Sequence, residues 1–148
     1  MTDALDVMRA FVESYPDFDV LGDLMIDYTS NVPNSAGLFP SGLVEVNRRT
    51  DIFGNVESDR QANFALYAVL TKSPDDDVGA TYNAEWLMGF QEWVLEQSAR
   101  GLAPRFGDVP EKEGIVAQNG QVYESDAEGW AMYAIQISAS FTKRYERS

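Results

Sequence analysis

The sequence predicts an α+β fold: a mainly antiparallel sheet with two helices packed on one face and a long C-terminal strand. Three patterns carry that expectation. Apolar residues recur at helical spacing in two places, 5–15 and 86–94. Two alternating segments flank the turn signal Gly54-Asn55, and a period-2 run with almost no turn signal closes the chain. A chain of 148 residues is expected to form a single domain, 1–148, burying about two thirds of the surface that its unfolded form exposes.

Thr2 is placed to cap a first helix, with Asp3 and Asp6 in its first turn. Leu5, Met8, Phe11, Val12 and Tyr15 form its stripe, and Pro16 ends it. Leu24, Ile26 and Tyr28 alternate with Met25, Asp27 and Thr29 as a short strand. Prolines, asparagines and a glycine then mark 30–41 as a loop, with Leu38 and Phe39 on it. A strand at 43–50, a turn within 52–58 and a strand at 61–71 follow, the second strand apolar on both faces. Asn83 is expected to cap the second helix, whose apolar face holds Trp86, Leu87, Phe90, Trp93 and Val94, and Gly101 and Pro104 stop it. Segments 115–117 and 121–123 flank Asn119-Gly120, a hairpin signal.

The closing run puts Trp130, Met132, Ala134, Gln136, Ser138 and Ser140 on one face, and Ala131, Tyr133, Ile135, Ile137, Ala139 and Phe141 on the other. Fully extended to Tyr145 it would reach roughly 50 Å, against a diameter of roughly 40 Å for a compact chain of this length. It must therefore bend, break at a bulge, or project beyond its own core.

The chain lacks cysteine and histidine. Disulfides, thiolate zinc sites and the usual Ser-His-Asp and Cys-His catalytic sets are thereby excluded. Catalysis by carboxylates, lysine or tyrosine stays open, but the composition argues against an enzyme. A net charge of −13 repels phosphate backbones and anionic lipid, so sequence-reading DNA binding and membrane association are not expected. The N-terminal residues show no export signal, and no window approaches the length of a membrane span.

No cofactor or metal is expected either. Asp17, Asp19, Gly22 and Asp23 match part of a calcium loop, but Leu21 and Tyr28 occupy positions that must supply oxygen ligands. Asp75, Asp76 and Asp77 read as a solvated loop, and Glu85, Glu92 and Glu96 as the solvent face of a helix. The candidate contact residues are instead Arg48, Arg49, Arg60, Leu38, Phe39, Lys143, Arg144 and Arg147. Alternation puts Arg48 and Arg49 on opposite sides of their strand, with Arg60 across the hairpin; the three could bridge to a neighbouring subunit or locally to Glu45, Asp51, Glu57 or Asp59. Positive charge at 143–147 against an acidic remainder favours head-to-tail contact between identical subunits.

Several stretches occur together in a fixed order: Val46-Asn-Arg-Arg-Thr-Asp-Ile-Phe-Gly as a polar hairpin, Arg60-Gln-Ala-Asn-Phe-Ala-Leu-Tyr as its return strand, and the aromatic helix 83–93. Leu102-Ala-Pro104 and the closing Met132-Tyr-Ala-Ile-Gln-Ile-Ser-Ala-Ser-Phe-Thr-Lys-Arg-Tyr145 complete the set. Over 43–145 the chain thus resembles the tail terminator, or tail-completion, proteins of long-tailed bacteriophages, often labelled minor capsid proteins. The resemblance implies a virion protein, assembled in the host cytoplasm, that forms a ring, typically a hexamer, through sheet edges and loops. Such a ring caps the tail tube protein, meets a head connector or stopper protein, and lets DNA pass an acidic lumen without sequence-specific binding. It implies no catalytic residue. The expected contact segments are 30–41, 51–59, 105–118 and 143–148. A head-side connector or tail tube subunit is the alternative within this class, and a cellular α+β module holding a small ligand between sheet and helices is the alternative outside it.

Overall fold

The computed structural model describes residues 4–18, 23–26, 35–71, 77–126 and 130–147. Helix α1 (Ala4–Glu13) and strand β1 (Asp23–Ile26) precede a long hairpin of β2 (Ser35–Thr50) and β3 (Val56–Thr71). Helix α2 (Asp77–Ala99), a short 3-10 turn (Pro110–Lys112), β4 (Gly114–Asp126) and β5 (Trp130–Tyr145) follow. The sheet order is β1-β2-β3-β5-β4; β1 runs parallel to β2, and all other neighbours are antiparallel. The α+β class with two helices and a mainly antiparallel sheet is as expected.

The register explains the layering. Leu38, Leu66 and Ile135 lie opposite one another across β2, β3 and β5, as do Ala36, Ala68 and Tyr133, and all six are buried in one core. Period-2 alternation therefore gives one sheet face a continuous apolar layer. Met8, Phe11 and Val12 of α1 and Trp86, Leu87, Phe90 and Val94 of α2 close over it. Aromatic rings knit the two helices together: Phe11 stacks on Trp93 at 4.8 Å, and Tyr15 meets Phe90 edge-on at 5.3 Å. Trp86 Nε1 donates to the Asp17 carbonyl at 3.1 Å, so its polar end is satisfied.

Three local expectations are corrected. Residues 35–41 belong to β2, not to a loop, and Leu38 is fully buried in the core; Pro40 is tolerated because β1 pairs only as far as Leu38, leaving the outer side of β2 without a partner there among the described residues. Asn83 lies inside α2, where its Nδ2 donates to the buried Tyr133 hydroxyl at 3.3 Å; a tertiary partner has claimed the amide that would have made a cap. Asn119-Gly120 makes no hairpin: β4 runs through it, with a register shift between Gln118 and Gln121 where it pairs with β5. The C-terminal run is one unbroken 16-residue strand, but β2 and β3 are equally long and project with it. Gly101 does end α2, through Leu102 N donating to Gln97 O and Gly101 N to Ser98 O. The expected cap Thr2, strand residue Tyr28, calcium-loop residues Asp19 and Gly22, and Asp75 and Asp76 lie outside the described residues.

Leu38→Ala is expected to cost about 2–5 kcal/mol by urea denaturation, because it empties a fully enclosed site. Leu43→Ala, in the same strand but exposed, is expected to change stability by no more than about 0.5 kcal/mol. Equal losses would contradict the division of β2 into a core half and a projecting half.

Candidate interaction surface

The helices cover only the proximal part of the sheet. β3 is paired with β5 for its whole length, from Thr71↔Trp130 to Val56↔Tyr145, and with β2 from Val69 to Val56. The distal half is thus a three-stranded ribbon beyond the helical layer. Exposed apolar side chains gather on it: Leu43, Val44, Val46, Ile52, Phe53 and Tyr145. Such a concentration on one element marks a contact surface rather than scattered surface hydrophobics.

At its tip, Ile52 is 94% and Phe53 77% exposed. The turn beneath them is rigidly tied. Asp51 accepts from the backbone N–H of Phe53 at 2.8 Å and of Asn55 at 2.9 Å, and Asn55 Nδ2 adds a third bond. Gly54 takes φ of +86°, a conformation that favours glycine. Arg147 closes the turn from behind, its backbone N–H donating to Asn55 Oδ1 at 2.9 Å.

Below the tip the charges are organised locally. Arg49 donates to Asp59 at 2.6 Å and Glu57 at 2.9 Å, Lys112 reaches Glu57 at 2.9 Å, and Arg144 approaches Glu57 at 3.5 Å. Thr142 Oγ1 donates to Asp59 at 2.7 Å. Lys112 and then Arg49 draw the Glu57 carboxyl down to about 2, and the Arg49 guanidinium holds Asp59 well below the usual range. Arg48 bridges to Glu45 at 3.1 Å. Of the two alternatives for Arg48 and Arg49, the local bridges are the ones formed, to Glu45 and to Glu57 and Asp59, and Arg144 of the C-terminal basic cluster is also engaged within the chain. Exposed pairs contribute little each, but this set joins β2, β3, β5 and the 3-10 turn at one point.

The other expected residues divide differently. Leu38 is core and leaves the contact list. Phe39, half-buried, packs edge-on against Tyr67 at 5.3 Å on the face without helices. Arg60 donates to the Tyr145 hydroxyl at 2.7 Å and lies over its ring. Arg60, Lys143 and Arg105 make no ion pair among the described residues.

These three cations rim a groove of about 780 Å³ between α1, the projecting ribbon and the loop after α2. Its apolar lining is Leu5, Leu43, Phe64, Phe106 and Phe141. Phe106 lies 6.5 Å from Phe64 and 5.7 Å from Phe141, centroid to centroid. Glu113 fixes the loop by accepting from the backbone of Phe106 and Gly107. Gly107 is required there, since a Cβ would collide with the Thr142 carbonyl. The sequence shows the two-faced apolarity of 61–71, but nothing in it brings Phe106 beside Phe64.

The sheet edges are occupied in part. On β4, Ser98 Oγ accepts from Ile115 N and Gln91 Nε2 donates to Ala117 O, so α2 caps that edge at Ile115 and Ala117. β5 pairs with β4 up to Ser140; beyond it Asp108 N donates to Thr142 O and Arg144 N to Asp108 Oδ2. The terminal strand therefore offers no free edge along 130–144. The outer side of β2 past Leu38 is unpaired among the described strands, yet Pro40 and two bulges, at Ser41 and Val46, break its line of donors.

The uncovered sheet face carries Gln61, Asn63 and Ser138, with Asn63 Oδ1 accepting from both others at 2.9 and 2.8 Å. Glu85, Glu92 and Glu96 lie exposed on α2, Glu96 paired with Arg100 at 2.7 Å. No cluster of three metal-ligating side chains occurs among the described residues, and no described helix is long and apolar enough to cross a membrane. The chain matches no model of a known protein family and no curated protein.

Glu57 is ionised in the folded state to a lower pH than when unfolded, so its contribution is full above about 4.5 and vanishes as pH falls towards about 2. Wild type is expected to exceed Glu57→Gln in stability near neutral pH and to converge with it in acid, as read by urea midpoints. A gap independent of pH would contradict the network.

Proposed function

We propose that this protein is a non-enzymatic virion assembly component, a tail terminator at the phage head-tail joint. It forms a ring on the last ring of the tail tube and presents its other face to a head connector. One observation carries the reading: three paired strands run on past Ala62 and Phe141, the last core residues of β3 and β5, into a ribbon with exposed apolar residues and a tied tip. A chain that folds by burial gains nothing from such a projection alone. The resemblance over 43–145 supplies the particular role, and the net charge of −13 suits a passage that DNA crosses without adhering. Contact passes through the tip and the groove, where exposed apolar side chains lie.

Added to growing tail tubes of its own phage, the protein is expected to stop elongation at a defined length and to appear as a ring at one tube end in electron micrographs. Tubes that keep growing with bare ends would overturn the proposal.

A further inference from the structure

The tip and the groove are two apolar surfaces that lie apart on the chain. Ile52 and Phe53 stand out on a turn fixed by Asp51 and Arg147, with no described neighbour to cover them. The groove offers an apolar floor of Leu43, Phe64, Phe106 and Phe141 under the cations Arg60, Arg105 and Lys143. Within one chain the two cannot meet, because the paired strands between Val56 and Ala62 hold them roughly 20 Å apart.

We infer that the hairpin tip of one protomer inserts Ile52 and Phe53 into the groove of a second copy. This names the seam of the ring proposed above and rests on that reading only for the closure of the ring. Charge favours the same occupant: Asp51, tied to backbone N–H groups, brings a carboxylate with the inserted tip to a rim of cations that lack ion pairs among the described residues. A small anion would sit in a groove open to solvent and stay half wet, whereas a ribbon tip covers the opening. Tip and groove are different surfaces; a contact repeated head-to-tail gives the ring when its rotation closes, whereas reciprocal insertion would stop at a dimer.

The absence of native cysteine makes the test clean. Phe53→Cys and Leu43→Cys, both at exposed positions, are prepared in the full chain, one with a tag that alters its mass, and mixed under mild oxidation. The mixture is expected to cross-link about tenfold or more faster than Phe53→Cys mixed with Met88→Cys on the exposed face of α2. The double variant Phe53→Cys, Leu43→Cys is expected to give a ladder that ends in a closed species. Cross-linking no faster than the Met88→Cys control, or fastest between two Phe53→Cys chains, would overturn the contact. Efficient cross-linking by a protein that leaves tail length uncontrolled would uphold the contact and count against the terminator reading. Controlled tail length without the cross-link would do the reverse.

Discussion

Every feature of the molecule depends on β3 being paired on both sides from Val56 to Val69. Because side chains alternate with period 2, those two registers place Leu66, Leu38 and Ile135 on one face together and force the helices to that face. A slip of one residue on either side would turn the apolar layer to solvent. The same pairing continues past the helices and makes a ribbon out of what would otherwise be a frayed hairpin. Two-stranded hairpins are marginal in water, and the third strand, β5, changes that.

The ribbon is held by different means in its two halves. Proximally, burial does the work, with Leu66, Leu70, Ile135 and Ile137 enclosed beneath the helices. Distally, the strands are locked by hydrogen bonds and by charges converging on Glu57 and Asp59 from β2, β5 and the 3-10 turn. The arginines that look like bridges to a neighbour therefore organise the chain itself. What they leave outward is apolar: Ile52 and Phe53 at the tip, Leu43 at the groove.

Much of the fold is legible in the sequence where a local pattern agrees with its tertiary setting. The stripe from Trp86 to Val94 is buried as its spacing implies, and Gly54-Asn55 does turn the chain between β2 and β3. The misread places are those where a distant partner decides. Asn83 is held by Tyr133, fifty residues away, and so sits within a helix instead of starting one. Asn119-Gly120 carries a turn signal, yet β5 pairs on both sides of it and makes an irregularity in one strand. Leu38 follows Pro33 and precedes Pro40, which reads as loop, while β1 and β3 enclose it. The groove was hidden for the same reason, since Phe64, Phe106 and Phe141 come from three separate segments. The tip was visible as a turn, but its exposure follows from the length of the strands behind it.

The account stands on the distal ribbon being a rigid element in the free protein rather than a hairpin that orders only on contact. Amide hydrogen exchange along β3 tests this most directly, since local opening reports which segments lack support. The hydrogen-bonded amides of 56–62 are predicted to exchange within about tenfold of those of 64–70, despite lying outside the helical layer. Exchange of 56–62 at the rate of an unprotected loop, with 64–70 still protected, would contradict the account.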